Sequence, residues 1–330
     1  MSVFFYFFLV SLAAAVTGED QIRIEKTIKL RNQVPQKEPV VMPVLSLGTA
    51  GFNNTIVEQA ITAAVGVGFK AIHVAYDYYN LDGVSAALKQ LTTERSNLFI
   101  TAMTSPCVHT AGNPKRNVTD LQACFDLTTS EVNATLLKLG INYVDLLLLH
   151  GPSEPFNFTQ GCNAQVSSLN QAQWSSYQQF LYEGKARSIG VSNFCPSCLK
   201  GLKEPVPSVN QIQWHVGMGP DPEGLMSYCK EKNIVVQAYS PLAGGEVVTD
   251  QLCSTVGTRY NKSAAQVGLR WVVQHQSTAV VVKASNVEYL QEDIDVYNWN
   301  LKPSDIAILD RSNVPHGQNG GRPSWGCAQS

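Results

Sequence analysis

The sequence predicts an α/β fold of the (β/α)8 class, the TIM barrel, on three observations. Short segments rich in Val, Ile and Leu alternate with longer segments whose apolar residues recur at helical spacing. Most of the short segments are apolar at consecutive positions, as expected of parallel strands that are buried on both faces. Eight such segments with helices between them fit a closed barrel better than an open, doubly wound sheet.

The individual elements follow from these patterns. The periodic segments Thr55–Val67 and Thr129–Leu139 predict helices, and Ser263 followed by Gln266 is typical of a capping box that starts another. No glycine-rich phosphate-binding pattern follows a strand, which argues against a Rossmann fold. The predicted strands are Val44–Thr49, Lys70–Ala75, Leu98–Met103, Val144–His150, Ser188–Ser192, Val209–Trp214, Ile234–Tyr239 and Ala279–Lys283.

The composition excludes two classes of protein. Lys and Arg number 24 against 26 Asp and Glu in 330 residues, a formal net charge of −2. A chain this close to neutral lacks the basic surface that displaces counterions from nucleic acid. Hydrophobic residues make up 44%, enough apolar surface to offset the entropy of ordering, so a disordered chain is also excluded.

The first residues predict a signal peptide. No charged residue occurs from Ser2 to Gly18, and the apolar run ends in small residues before the polar pair Glu19-Asp20. We expect a cleaved segment at residues 1–18 and a single barrel domain at residues 19–330, with no membrane span after cleavage. Because Lys and Arg are missing before the apolar core, an uncleaved anchor is the alternative.

Glycosylation sequons support a secretory location. Five N-x-S/T sequons occur, more than chance gives in a chain of this length. Glycans would also supply the polar surface that a charged fraction of only 15% leaves wanting. We therefore expect a glycoprotein that is secreted or located in the lumen of the secretory pathway. A monomer is expected as well. The sequons are at Asn53, Asn117, Asn133, Asn157 and Asn261.

The cysteines fit the same compartment. An even number is compatible with four disulfides, although the sequence leaves their pairing open. For the cysteines of Cys195-Pro196-Ser197-Cys198 a structural disulfide is favoured over a redox role, and a lone C-x-x-C argues against a zinc site, so no metal is expected. Cys327, the fourth residue from the carboxyl terminus, is interpreted as a disulfide partner or free thiol rather than a prenylation site. Three other cysteines follow the third and fourth strands and predict disulfides at the rim of the barrel: Cys107, Cys124 and Cys162.

The barrel prediction also locates the functional residues. Active sites of this fold lie at the carboxyl ends of the strands, where the βα-loops meet. Polar residues occupy many of these positions in the sequence. They are Thr49, the segment His73–Tyr78, His150, the pair Ser192-Asn193, Gln211, the pair Tyr239-Ser240, and Lys283.

Several of these segments resemble one family. Gly190-Val191-Ser192-Asn193-Phe194, with Gly184–Ile189 before it, is similar to the central signature of the aldo-keto reductases. The resemblance extends from Val44 to Asn313 and implies a barrel enzyme that reduces aldehyde, ketone or sugar carbonyls with NAD(P)H. Further matching segments are Gly68–Lys70, Tyr78–Asn80, Asp145–Pro152, Asn210–Ile212, Ala238–Leu242 and Ala265–Trp271.

The resemblance implies a catalytic tetrad of Asp, Tyr, Lys and His, of which this chain keeps half. Tyr78 and His150 match the family's Tyr and His, whereas His73 stands at the Asp position and Met103 at the Lys position. Replacing both partners of an ion pair leaves no unpaired charge inside the barrel. A buried Lys without its carboxylate would instead destabilise the fold. His73 is a candidate relay that hydrogen-bonds the hydroxyl of Tyr78; the alternative is a histidine that only packs at the end of its strand.

The residues that the resemblance assigns to the cofactor are better preserved. Lys283 favours NADP(H) through the 2′-phosphate, but Ala284 and Tyr289 replace the Ser and Arg of the family, so NAD(H) is the alternative. The implied contacts are Ser192, Asn193 and Gln211 for the carboxamide, Tyr239 for the nicotinamide ring, Ser240, Leu242 and Thr49 along the pyrophosphate, and Glu292 and Asp293 at the adenine.

Two functions from different classes follow from these residues. The first is a reductase of small carbonyl compounds, favoured by the nicotinamide set and by Tyr78 with His150. The second is a degenerate barrel that binds a dinucleotide or another small ligand without turnover. The replacements at positions 73 and 103 favour that second reading.

Overall fold

Eight parallel strands close into a barrel, as predicted. The structure, a computed structural model, describes residues 26–35, 37–109, 115–153, 162–275 and 278–316. Each of these eight strands pairs with the next barrel strand along the chain, and the last pairs with the first, where Val280 lies opposite Leu45. The strands are β1 Thr27–Lys29, β2 Val41–Pro43, β3 Leu45–Gly48, β4 Ala71–Ala75, β5 Phe99–Thr104, β6 Val144–Leu149, β7 Ala186–Ser192, β8 Val209–Gln213, β9 Val235–Tyr239 and β10 Ala279–Val282.

The barrel strands β3 to β10 lie within one or two residues of their predicted bounds. One close approach between them depends on a glycine. A Cβ at Gly190 would lie 2.5 Å from the carbonyl oxygen of Val209. Only glycine therefore lets β7 pass this close to β8, immediately below the Ser192-Asn193 loop.

Helices connect the strands, and six of the ten described helices start at a residue whose side chain caps the first turn. The capping box of Ser263 and Gln266 is present at the start of α8. Helix α3 begins earlier than predicted, because Asp120 accepts a hydrogen bond from the backbone N–H of Ala123. The helices are α1 Asn54–Val67, α2 Leu81–Gln90, α3 Leu121–Leu139, α4 Ala164–Tyr182, α5 Pro196–Lys200, α6 Leu225–Glu231, α7 Gln251–Thr258, α8 Ala264–Gln274, α9 Val287–Ile294 and α10 Pro303–Asp310.

The described ranges contain no helix that combines the length and apolarity needed to cross a membrane. The predicted signal segment, residues 1–18, lies outside these ranges.

A hairpin that the sequence analysis did not predict closes the amino-terminal end of the barrel. Strands β1 and β2 are antiparallel and have three residues each, too few to show a period in the sequence. Between them, Gln33 is buried and bonds β7 and the segment before β8: its Oε1 accepts from Ile189 N–H at 2.8 Å, and its Nε2 donates to Val206 O at 2.9 Å. The hairpin does not cover the opposite end of the barrel, where the carboxyl ends of the strands and the predicted site residues lie.

The inside of the barrel is apolar. Met42 of the hairpin and Met103 of β5, both buried, belong to one cluster with side chains from four other strands. Met103, which the resemblance assigns to the Lys position of the family, thus lies among hydrocarbon groups. The other members include Phe99, Leu146, Leu148, Val209 and Ala279.

Disulfides tie the loops above the carboxyl ends of the strands. Cys107 is bonded to Cys124, and Cys162 to Cys198, so all three rim cysteines form disulfides, as predicted. Both cysteines of the C-x-x-C motif form disulfides, but not with each other: Cys198 pairs with Cys162, and Cys195 belongs to a separate disulfide. The even count does not mean four disulfides either, because two further thiols are free and buried, Cys229 and Cys253.

Candidate active site

Tyr78 and His150 lie side by side at the carboxyl ends of the barrel strands. Tyr78 ends the short 3-10 turn Tyr76–Tyr78, which follows β4 directly, and His150 follows β6. The centroids of their rings are 5.7 Å apart, and the rings meet edge to face at 79°. Both residues are partly exposed, so a small molecule at the mouth of the barrel can reach them.

A carboxylate with no predicted role, that of Asp77, lies against His150. Its Oδ2 and Oδ1 are 3.0 and 3.2 Å from Nδ1 of His150, and its Oδ2 accepts a hydrogen bond of 2.9 Å from the hydroxyl of Ser105. Burial alone would raise the pKa of Asp77, but the hydrogen bond and charge of His150, together with Ser105, outweigh it and lower the pKa to about 2. Asp77 is therefore an anion at neutral pH.

The sequence carried only a weak signal for Asp77. It lies within the polar segment that follows the second predicted strand, one residue before Tyr78. The family resemblance assigns no role to this position, so the residue drew no interpretation. Its partner His150 is 73 residues away, a contact that only the closed barrel creates.

The hydroxyl of Tyr78 is a poor acid here. Burial raises its pKa first, and the negative charge of Asp77 and the neighbouring Tyr239 raise it further. A cation beside the phenol would have the opposite effect, but the neighbouring strand β5 offers Met103 instead. Tyr78 thus remains protonated at neutral pH and can donate a hydrogen bond.

His73 is buried inside the barrel rather than exposed in the pocket. It is 2% exposed, and no group of the described residues bonds its Nε2. Burial, then the positive charge of His150, lower its pKa to about 3, so the ring is neutral. The centroids of the His73 and Tyr78 rings are 6.3 Å apart. Among the described residues no hydrogen bond joins the two, so the relay remains a hypothesis.

Asn193 connects the expected nicotinamide region to His150. Its Oδ1 accepts a hydrogen bond of 3.0 Å from the hydroxyl of Tyr239, and its Nδ2 donates to the carbonyl oxygen of His150 at 3.0 Å. The backbone of Asn193 is left-handed, with φ of 59°, a conformation that Asn tolerates better than most residues. The ring of Tyr239 is therefore held from its hydroxyl end at the mouth of the barrel.

The other residues that are predicted to contact the nicotinamide form hydrogen bonds within the protein. The hydroxyl of Ser192 donates to the carbonyl oxygen of Gln211 at 2.8 Å. The Nε2 of Gln211 donates to Oε1 of Gln237 at 2.7 Å, which leaves the Oε1 of Gln211 as the group able to accept from a carboxamide. Thr49 is fully buried and donates to the carbonyl oxygen of His73 at 2.9 Å, so its role is to join β3 to β4.

The residues predicted along the pyrophosphate lie on the loop after β9. Ser240 is exposed and left-handed, with φ of 47°, and Leu242 is half-buried. Lys283, at the end of β10, is also exposed. Its ammonium lies 4.7 Å from the centroid of the Phe52 ring, and within the described ranges it forms no ion pair. An anion can therefore approach Lys283 without displacing a carboxylate.

The two acidic residues predicted at the adenine differ in their surroundings. Glu292 accepts a hydrogen bond of 2.9 Å from the hydroxyl of Ser263, at the start of α8. Asp293 is 7% exposed, and burial, then the charge of Glu292, raise its pKa to about 7. Asp293 is thus protonated in part at neutral pH and can donate as well as accept.

These residues fit a dinucleotide. The unpaired ammonium of Lys283 suits a phosphate, the anchored ring of Tyr239 suits a stacked nicotinamide, and Asp293 offers a carboxyl group to a base. No cluster of His, Cys, Asp and Glu that could hold a metal ion occurs in the part of the chain that the structure describes.

Comparison with known proteins agrees with this arrangement. A sequence model of the aldo/keto reductase family matches residues 44–314. The chain belongs to the aldo/keto reductase family. An aldo-keto reductase of Mycobacterium tuberculosis is 32% identical over 302 residues, which cover 90% of this chain and 95% of the relative.

Other relatives of similar extent have named activities. The glyoxal reductase of Bacillus subtilis is 28% identical over 88% of this chain and 94% of its own. The morphine 6-dehydrogenase of Pseudomonas putida is 29% identical, over 82% and 88%. Among solved structures, the aldo/keto reductase of Brucella melitensis superposes with a TM-score of 0.70 at 26% identity, covering 86% of this chain and 98% of its own.

The buried, neutral state of His73 predicts an acid-sensitive fold. Unfolding exposes the imidazole, whose pKa then returns from about 3 to its ordinary 6.5. The unfolded chain therefore binds one more proton below pH 6.5, and the free energy of unfolding rises with pH across this window, by at most about 1.4 kcal/mol per pH unit. Urea unfolding of wild type and His73→Leu at pH 4.5, 5.5 and 6.5 measures this dependence of the free energy of unfolding on pH.

Over these two pH units, wild type should gain about 2 kcal/mol more than His73→Leu. Because the imidazole stays neutral in the fold while Leu cannot titrate, the two proteins should differ only in this slope. Parallel pH dependences would show that His73 is protonated in the folded protein as readily as in the unfolded one.

Proposed function

We propose that the protein is an NADP(H)-dependent oxidoreductase that reduces small aldehydes, ketones or sugar carbonyls. The observation that carries the proposal is the edge-to-face pair of Tyr78 and His150, partly exposed at the carboxyl ends of the strands. A phenol and an imidazole at this distance can both direct a polar hydrogen at one carbonyl oxygen. Relatives named as a glyoxal reductase and a morphine 6-dehydrogenase point to the same chemistry of carbonyl and alcohol.

The chain's own residues would orient the reaction. When bound, the nicotinamide supplies the hydride. Tyr239, fixed through Asn193, would support the ring, and Asn193 in turn bonds the backbone of His150. The nucleotide and the carbonyl are thus positioned by one connected set of hydrogen bonds, which is the condition for an efficient transfer.

Lys283 favours NADP(H) over NAD(H). Its ammonium is free of carboxylates in the described ranges and faces Phe52, so a 2′-phosphate would gain a charge-assisted contact. Tyr289, 62% exposed, stands where the family has Arg, and a phenol cannot replace a bidentate guanidinium. The preference for NADP(H) should therefore rest on Lys283 alone.

A second function is favoured by Met103 and His73. Both are buried and uncharged, so neither supplies a cation that would lower the pKa of the Tyr78 hydroxyl. A barrel with these replacements could hold a dinucleotide or another small ligand without turnover. The two candidates share the nucleotide site and differ only in the chemical step.

One experiment separates the two. Secreted protein with intact disulfides is titrated with NADPH and NADH by fluorescence, and NADPH oxidation is then followed with glyoxal, short aldehydes and aldoses. We expect NADPH binding and oxidation with at least one carbonyl. Binding without oxidation would select the second function, and no binding of either nucleotide would contradict both.

The same titration tests the role of Lys283. In Lys283→Met we expect NADPH to bind about 10- to 100-fold more weakly, the value of one lost charge-assisted contact, while NADH binding stays unchanged. Lys70→Met is the matched control, because Lys70 is also exposed but precedes β4 at the opposite end of the barrel. Equal weakening for both nucleotides would place the ammonium elsewhere than at the 2′-phosphate.

We also propose that the protein acts outside the cell or in the lumen of the secretory pathway. Four sequon asparagines, Asn53, Asn117, Asn133 and Asn261, are exposed, and Asn157 lies outside the described residues. The disulfides Cys107–Cys124 and Cys162–Cys198 persist in an oxidising compartment.

Glycan removal tests this location. Protein secreted from a eukaryotic host should lose mass when N-glycans are cleaved enzymatically, because exposed sequons are accessible to the transferase. Substituting Asn117→Gln and Asn261→Gln together should reduce that loss by two glycans. An unchanged mass after deglycosylation, or retention of the protein in the cytosol, would contradict the proposed location.

A further inference from the structure

The carboxylate of Asp77 gives His150 a partner that the catalytic tetrad of the family does not include. We propose that His150, held by Asp77, donates the proton to the substrate oxygen, while Tyr78 serves as a neutral hydrogen-bond donor. Asp77 is then a positioning residue that acts through His150. This inference rests on the proposed reductase function and assigns its proton donor.

The geometry of the imidazole supports the assignment. Both oxygens of Asp77 lie within 3.2 Å of Nδ1 of His150, so Nδ1 must carry a hydrogen. Within the described ranges no protein group bonds the other ring nitrogen, Nε2, and the side chain is 28% exposed. Nε2 is thus the atom of the ring left for a substrate at the mouth of the barrel.

Both members of the pair are fixed from other strands. Ser105, which follows β5, donates its hydroxyl to Asp77 at 2.9 Å. Asn193, which follows β7, donates to the backbone carbonyl of His150 at 3.0 Å. The orientation of the imidazole therefore depends on the ends of four strands, which suits a group that must deliver a proton to one point.

The distribution of charge favours the imidazole over the phenol as proton carrier. An anion beside Tyr78 opposes the phenolate that proton donation would leave, whereas the same anion stabilises an imidazolium. With Met103 and His73 uncharged, Asp77 is the anion that contacts His150 and the charge that acts on Tyr78. The other titratable groups that face the pair are His73, His109, Arg116, Glu131, Tyr177 and Tyr239.

The proposed step transfers one hydride and one proton to the carbonyl group. A hydride adds to the carbonyl carbon, the π electron pair of C=O moves to the oxygen, and the proton on Nε2 of His150 transfers to that oxygen. The carbonyl is reduced to an alcohol and the nicotinamide is oxidised. The imidazole is left neutral, with its remaining hydrogen on Nδ1 facing Asp77, and solvent returns the proton.

The pH profile of kcat tests the assignment. With an imidazolium donor, kcat for reduction should fall about tenfold per pH unit on the alkaline side of the profile, where the ring has lost the proton to be donated. A Tyr78 donor predicts a flat profile there, because burial raises the pKa of Tyr78 above its ordinary 10. Tyr78→Phe should lower kcat but keep the alkaline fall, and His150→Gln should abolish the fall.

The decisive variant is Asp77→Asn, which keeps the shape of the side chain and removes its charge. We expect kcat to drop about 10²-fold, the alkaline fall to begin at lower pH, and the dissociation constant of NADPH to stay within about twofold, since Asp77 is not expected to touch the nucleotide. Asp82→Asn is the matched control, an exposed carboxylate on α2 that lies outside the site.

Each outcome decides the inference. A flat alkaline profile in wild type, or an Asp77→Asn profile that matches wild type, would overturn it and leave the reductase function standing. If wild type binds NADPH but oxidises it with no carbonyl, the reductase function and the proton donor both fail. If wild type binds neither nucleotide, the nucleotide site itself is rejected and the donor with it.

Discussion

Two oxygens of one carboxylate, on Asp77, lie within 3.2 Å of the same imidazole nitrogen of His150. The contact joins the end of β4 to the end of β6 and sets the charge at the mouth of the barrel. A carboxylate whose pKa is about 2 stays ionised at every physiological pH. It therefore fixes the imidazole in one orientation and adds to the effect of burial, which is the larger cause of the raised pKa of Tyr78.

The apolar interior of the barrel suits uncharged side chains at positions 73 and 103. Met103 packs in a cluster with Phe99 and Leu148, and a Lys there without a carboxylate would be a buried, unpaired charge. His73, neutral with a pKa of about 3, makes no such demand on its neighbours. Buried, uncharged side chains thus occupy positions 73 and 103, and the ionic contact of the site lies nearer to solvent, between Asp77 and His150.

The fold could be predicted from the sequence because its signals are local. Continuous apolar runs indicated the strands of the barrel, and Ser263 with Gln266 indicated the start of α8. Helix α3 was predicted too short, since its first half is less regularly apolar and only the Asp120 cap marks its start. The hairpin escaped prediction because strands of three residues are too short to show a period.

The site could be predicted only in part, because its decisive contacts join distant residues. Tyr78 and His150 were found through family resemblance, and the barrel brings them together. Asp77 could be seen in the sequence, but its contact with His150 spans 73 residues and belongs to no known motif. The pairing of Cys198 with Cys162, rather than with its neighbour in the C-x-x-C motif, likewise follows from loop positions that no local pattern encodes.

The central claim is that Asp77 determines the state of the His150 imidazole. Nitrogen-15 NMR of the histidine side chains tests it directly, with the signals of His150 assigned by their loss in His150→Gln. In wild type, the neutral ring should carry its hydrogen on Nδ1, and Asp77→Ala should move that hydrogen to Nε2 because the carboxylate that holds it is gone. A ring with its hydrogen on Nε2 in wild type, or one unchanged in Asp77→Ala, would contradict the account.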